Sequence, residues 1–263
     1  MNIPTTMPDL AILDGDWIAY TAACWADNEG FEYLEDRLAY DIRSYTPKGC
    51  SQVLIAFSCS RADNYRRDFW PVYKIHRDNQ EAPEFLKDAI EYLEANYNCT
   101  RVDRLEADDL IGLAVSNGKA VGVAIDKDMR TCPGWHWNPR KEDAPVIVTA
   151  DDAFRFFCEQ LVTGDTTDGI YGCIGKGKAH FDKKIAAVYP SDRWIEKIMV
   201  DYADALASPG KRYVEKVENI QHELGFTDPR EYFLAQARCL RILQGDDYDK
   251  TTGKVRPWTP EIM

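Results

Sequence analysis

Carboxylates recur along this chain where apolar runs end, and no other residue type in it offers as much chemistry. Asp14 and Asp16 follow Leu10-Ala11-Ile12-Leu13. Glu106-Ala107-Asp108-Asp109 opens a second apolar stretch, and Asp126-Lys127-Asp128 closes the run Ala120 to Ile125. Asp165 and Asp168 flank two threonines just ahead of the glycine series Gly172, Gly175, Gly177. Like charges that share a site raise each other's pKa and take up protons unless a cation lies among them. Hard oxygen donors select Mg²⁺ or Mn²⁺, and a pair of such ions is a common device for hydrolysing a phosphodiester bond. The set points to metal-dependent phosphodiester hydrolysis.

Each group has a plainer explanation when taken singly. Acidic residues suit a first helical turn, Asp is frequent in turns after strands, and Asp16 could cap a helix beginning at Trp17. Asp126 and Asp128, two residues apart, would face the same way on an extended segment. The weight lies in their joint occurrence after successive strands.

Basic residues supply the complementary chemistry. In Tyr73-Lys74-Ile75-His76-Arg77, Lys74 and Arg77 are suited to contact a scissile phosphate and offset charge that develops there. Tyr73 could stack on an unpaired base. In the string Gly164 to Ala179, glycines 172, 175 and 177 let backbone N–H groups approach a phosphate without intervening side chains. Lys176 and Lys178 sit among them, and a helix start just beyond adds a favourable dipole. Such a turn reads phosphate only and confers no sequence preference. It is not a Walker A loop, because the GxxxxGK[ST] spacing is absent. His76, His136, His180 and His222 fit no metal spacing, and Trp135-His136-Trp137 reads as an aromatic loop without chemistry.

The elements that must position these groups are legible as runs and periods. Residues 9–14, 52–57 and 120–125 are short apolar runs, as in strands of a parallel sheet buried on both faces. Trp17 to Ser44 has helical spacing without an internal proline, and Ala107 to Val115 is an apolar helix. Residues 80–97 read as a charged helix. Strands alternating with helices predict an α/β sheet, with ligands gathered beyond the strands' carboxyl ends, where Asp14, Ser58 and Asp126 fall. After about residue 148 the chain reads as helices only: 151–162, 182–188, 191–206, 211–224 and 229–244, followed by an irregular tail over 246–263.

Composition excludes several classes. The 263 residues, 45% hydrophobic, can bury a large core. No apolar run nears the ~20 residues that cross a bilayer, and no basic-then-apolar leader opens the chain, so a soluble cytoplasmic protein with no membrane partner is expected. Eight cysteines form no CxxC pair, which argues against a zinc site and a disulfide framework. The net charge of −12 should repel nucleic acid overall. Eight of those carboxylates belong to the candidate site itself. Attraction must then come from local basic stretches: Arg61, Arg66, Arg67, Lys74 and Arg77, and separately Lys176, Lys178, Lys183 and Lys184.

In order and spacing, Leu13-Asp14-Gly15, Glu106-Ala107-Asp108-Asp109, Asp126-Lys127-Asp128-Met129 and Gly164 to Ala179 resemble the 5′-nuclease superfamily of flap endonucleases and polymerase-type 5′-to-3′ exonucleases. Asp168-Gly169 in place of Asp-Asn, the lack of a polymerase region, and the stretch Arg241 to Asp249 look most like stand-alone bacteriophage exonucleases. The resemblance implies a PIN-like α/β core over 1–148 with a helical arch at about 66–104. It also implies a helical subdomain over 149–263 with a helix–three-turn–helix at about 161–188 that grips duplex DNA and can hold K⁺. By the same resemblance Asp14, Glu106 and Asp108 belong to one Mg²⁺ and Asp126, Asp128, Asp165 and Asp168 to a second, with Asp109 near both and Mn²⁺ able to substitute. Arg66, Lys74 and Arg77 match its catalytic basic elements.

Two positions depart from the pattern: Ser58 stands where an Asp is usual, and the later hairpin lysine falls on Ala179 unless Lys178 takes its role. The implied activity is 5′-to-3′ exonuclease action by a monomer on duplex DNA with a 5′ end or flap, extending to flap cleavage and to RNA primers in RNA–DNA hybrids. A PIN-like ribonuclease is the nearest alternative, and the glycine hairpin argues against it. A DNA-structure-binding protein with a lapsed site is another, suggested by Ser58.

Overall fold

The computed structural model describes residues 4–260. Its chain forms two compact units. One comprises the chain up to Asn64, Asn79–Ala150 and Ile242–Val255. The other comprises Tyr65–Asp78, Asp151–Arg241 and the chain from Arg256. The single cut expected near residue 148 is therefore joined by further crossings, because Tyr65–Asp78 and Ile242–Val255 each pack with the unit remote from them in sequence.

The first unit is built on a six-stranded sheet. Its strands are β1 (Leu10–Asp14), β2 (Gln52–Phe57), β3 (Cys99–Arg101), β4 (Val121–Val123), β5 (Gly134–Trp137) and β6 (Val146–Val148). The spatial order is β3-β2-β1-β4-β5-β6, parallel throughout except for the antiparallel β5–β6 pair. Ala11, Ile12 and Leu13 are all buried, as a central parallel strand requires. The chain runs outward from β1 through β2 to β3, then returns to β4 on the other side of β1. That reversal is a topological switch point, where parallel sheets open a crevice at their carboxyl ends.

Helices α1 (Gly15–Glu29), α2 (Leu34–Ser44), α3 (Leu86–Asn96) and α4 (Ala107–Ser116) cover this sheet. Trp17 to Ser44 is not one helix, because Gly30 at φ 124° ends α1 in a conformation that side-chain-bearing residues avoid. No helical arch spans 66–104. Tyr65–Asp68 and Ile75–Arg77 are single 3₁₀ turns, while α3 buries Ala89 and Leu93 against α1 and α2. Trp135-His136-Trp137 is strand β5 rather than a loop. The expected irregular tail contains a small hairpin, β7 (Tyr248–Asp249) with β8 (Lys254–Val255).

The second unit is helical: α5 (Ala150–Thr163), α6 (Lys178–His180) running on as a π-helical stretch Phe181–Ala186, α7 (Trp194–Ala207), α8 (Val214–Glu218) running on through Asn219–Glu223, and α9 (Pro229–Leu240). Its core gathers Trp70, Tyr73, Phe157, Leu161, Phe181, Tyr202 and Phe233. Burial of Trp70 and Tyr73 is what draws Tyr65–Asp78 into this unit. Among the described residues, no helix is long and apolar enough to cross a membrane.

Candidate active site

Asp14 ends β1 and Asp126 follows β4, so the two leave neighbouring strands at the switch point. Asp14 caps α1, its Oδ1 accepting the Trp17 N–H at 3.1 Å. Helix α1 begins hard against β2. A Cβ on Gly15 would lie 2.5 Å from Ile55 Cγ2 and 2.9 Å from the Ala56 carbonyl, so only glycine lets Asp14 and Asp16 sit so close to the sheet. The helix cap that the sequence offered to Asp16 is thus taken by Asp14. Asp16 turns to the end of β2, where its Oδ2 accepts the Ser58 N–H at 3.0 Å. Ser58 Oγ in turn accepts the Ala107 N–H at 2.9 Å and fixes the start of α4.

These carboxylates feel one another. Burial, then the Asp16 charge, then the Asp126 charge push the Asp14 carboxyl upward, and the Trp17 amide only partly opposes them. Burial also raises Asp16, against the Ser58 hydrogen bonds, and Glu106 adds to the rise. Asp14, Asp16, Glu106 and Asp126 all keep some surface open. Among the described residues, no three His, Cys, Asp or Glu side chains stand close enough to grip one ion as they are placed. Asp126 is exposed. An all-oxygen set of mutually repelling carboxylates fits a hard divalent cation, which would relieve the repulsion that otherwise favours protonation.

Not every acidic candidate is open to an ion. Asp109 is fully buried and committed to backbone. Its Oδ2 accepts the Glu106 N–H at 3.1 Å, closing a capping box at the start of α4, and its Oδ1 accepts the Leu243 N–H at 3.2 Å. Asp126 and Asp128 do not lie on an extended segment. Asp126 Oδ1 accepts the Asp128 N–H at 2.8 Å in a 3₁₀ turn, which leaves Asp126 exposed and Asp128 buried. Asp108 is half-buried in the first turn of α4.

The second unit holds the other candidates. Asp165 is buried, and its Oδ1 accepts the Thr167 N–H at 2.8 Å. Asp168 gathers the basic residues. Arg77 donates to Oδ1 at 3.0 Å, Lys74 Nζ lies 3.4 Å from Oδ2, and the Tyr73 hydroxyl donates to Oδ2 at 3.2 Å. Lys74 adopts φ 51°, left-handed for a residue with a side chain, and its N–H donates to the Asp168 carbonyl at 2.9 Å. Such strain persists only where the surroundings enforce it, and it often marks functional positions.

Tyr73 is 2% exposed, so it has no face to offer a base. Arg66 is fully buried as well. Its Nε and Nη2 donate at 3.0 and 3.1 Å to the carbonyls of Cys239 and Arg241, at the carboxyl end of α9. It caps that helix and has no exposed surface for a phosphate.

In the glycine turn, the Tyr171 and Gly172 amides donate to Gln236 Oε1 at 2.8 and 3.1 Å, and Tyr232 donates to the Gly172 carbonyl at 2.8 Å. Gly172 is thereby used internally, whereas Gly175 is exposed and Gly177 partly so. Lys176 lies 3.7 Å from Asp201, and Lys178 pairs with Glu159 and, at 3.6 Å, Asp182. Gln236 and the Leu243 amide are the groups the sequence did not disclose, and it gave no sign that Ser58 would link Asp16 to the start of α4. Gln236 falls on the helix-spaced stretch after Pro229, but nothing in that pattern names its partner.

No family model matches the chain. The chain is 25% identical to the exonuclease of Escherichia phage T7, over 95% of this chain and 93% of that protein. It is 24% identical to an exodeoxyribonuclease of Enterobacteria phage T3, over 95% of this chain and 93% of that one. Its backbone is similar to the T5 5′-exonuclease solved with bound divalent zinc, with a TM-score of 0.56 and 19% identity, covering 88% of this chain and 90% of that one. With acidic residues at the switch point of its sheet, the chain shares the fold of the T5 5′-exonuclease and is similar along nearly its whole length to two phage exonucleases.

Proposed function

We propose that this protein is a divalent-metal-dependent 5′-to-3′ exodeoxyribonuclease that hydrolyses duplex DNA from a 5′ end or flap. The observation that carries this reading is the convergence of Asp14, Asp16, Glu106 and Asp126 on the switch point of the sheet. Asp14, Glu106 and Asp126 are the proposed holders of the metal, with Asp108 and Asp128 beside them, and Mg²⁺ is the proposed ion. When bound, divalent ions supply an activated water for attack on phosphorus and stabilise the leaving 3′-oxygen.

The chain's own residues do the rest. Lys74 and Arg77 are ion-paired to Asp168 at rest, and an entering phosphate would take that anion's place between them. The strained Lys74 backbone fixes where its ammonium can reach. Asp16 holds the end of β2 through Ser58 and sets the edge of the metal-binding group. Gly175 and Gly177 offer backbone to the phosphates of the duplex, which gives binding without sequence preference. K⁺ at this turn and action on RNA–DNA hybrids belong to the same proposal.

The test is hydrolysis of a 5′-labelled duplex with and without Mg²⁺, beside the Asp14→Asn and Asp126→Asn variants. Mg²⁺-dependent cleavage that both substitutions abolish, with duplex binding retained, supports the reading. Duplex bound but never cleaved, or cleavage confined to RNA, overturns it.

A further inference from the structure

The lysines within the glycine turn are largely occupied by carboxylates, so its attraction for a polyanion must come from elsewhere. The segment just after α7 supplies it. Gly175 has φ 79°, and a Cβ there would lie 2.9 Å from Tyr213 Cε2, so the turn rests directly on the Tyr213 ring. The Arg212 guanidinium lies 4.5 Å over that same ring. Lys216 Nζ lies 3.9 Å over the ring of Tyr171, the residue before Gly172. Lys211, Arg212 and Lys216 are exposed, and among the described residues none of them enters an ion pair. Residues 210–216 carry three cations against one carboxylate, Glu215.

We propose that Lys211, Arg212 and Lys216 form, together with the exposed Gly175 turn, the surface that holds the phosphate backbone of duplex DNA. This rests on the reading of the chain as a DNA-cleaving enzyme. The aromatic rings give the surface its order. A cation seated on a ring face is already restrained, so less conformational entropy is lost when it meets a phosphate. The turn presents backbone to one phosphate, and the flanking cations meet its neighbours along the strand. In a chain of net charge −12, such a patch is also what aligns an incoming duplex against the general repulsion.

The experiment measures duplex affinity of the intact protein in EDTA across roughly 50–200 mM salt, where each phosphate contact contributes about 0.9 to the slope of log K against log salt. The triple variant Lys211→Ala, Arg212→Ala, Lys216→Ala should lower that slope by about two to three, with an unchanged thermal melt. Arg212→Lys alone should leave the slope nearly intact, because the charge is kept. A charge-matched control, Lys48→Ala, Lys87→Ala, Lys254→Ala, should change it little, since those exposed residues belong to the other unit. A triple variant with the wild-type slope, or a control that loses as much, overturns the surface alone. A wild-type chain that binds no duplex overturns the DNA-cleaving reading and this surface with it.

Discussion

Replacing Arg66 by alanine should cost the protein stability rather than chemistry. Its guanidinium has no exposure and donates at 3.0 and 3.1 Å to two carbonyls at the end of α9. Hydrogen bonds from a charged donor contribute about 1.5–3 kcal/mol each, so the pair amounts to roughly 3–6 kcal/mol. The faces of Tyr65 and Tyr73, at 4.7 and 5.8 Å, lose a cation in the same step. At about 2–4 °C per kcal/mol for a chain of this size, the melting temperature should fall by on the order of 10 °C. Circular dichroism melts measure that fall. Single-turnover cleavage, run well below the variant's own melting temperature, should then stay within about tenfold of wild type. An unchanged melt with a rate reduced a hundredfold would refute the assignment and return Arg66 to the reacting phosphate.

Lys74→Ala should lower the single-turnover rate by roughly two to three decades, as expected when one charge partner of the transition state is lost; weaker binding at an unchanged rate would make Lys74 a positioning residue. Asp16→Asn should weaken Mg²⁺ binding by about 10–100-fold, read from metal-induced thermal stabilisation as well as from activity, and Ser58→Asp should restore part of it. Normal Mg²⁺ affinity in Asp16→Asn would limit Asp16 to tying α1 to the end of β2. Burial pushes His136 down to about 4, so as pH falls through 6.5 the unfolded chain takes a proton that the folded chain refuses until about pH 4. Stability should drop by roughly 3 kcal/mol across that window, and His136→Gln should flatten the drop in urea titrations; identical pH profiles for the two proteins would count against this linkage.

Much of the sheet was legible because buried parallel strands are short continuous apolar runs. β1, β2 and β4 all fall where such runs stand in the sequence. β5 was not, because Trp135-His136-Trp137 mixes a titratable ring with two indoles; its burial depends on an Nε2 contact of 2.8 Å to the Cys132 carbonyl that no pattern announces. The acidic groups were visible as residues but not as partners. Asp109 resembles Asp108 in the sequence, and the capping box with Glu106 and the arrival of the Leu243 amide separate a buried cap from a half-open carboxylate. Asp126 and Asp128 share a spacing but not an environment, because a 3₁₀ turn replaced the assumed extended segment. Arg66 and Tyr73 look reactive beside Lys74, yet Tyr73 joins Trp70 in the apolar core, and Arg66 is held inside by the carbonyls of Cys239 and Arg241.

The contact between Leu243 and Asp109 also has a bearing on synthesis. The acidic start of α4 emerges early, but the amide that satisfies Asp109 comes more than a hundred residues later. Ile242 and Leu243 also supply the atoms that close against Gly112 on the same helix. At about 5–20 residues per second, the nascent chain spends several seconds with the acidic end of α4 made and its closing segment still missing. During that interval Asp109 has neither its full set of amides nor the apolar cover of residues 242–243. The carboxylates at the switch point therefore reach their final setting only when translation is nearly complete, and a chain that stops short of residue 242 carries the acidic motif without the clasp that orders it.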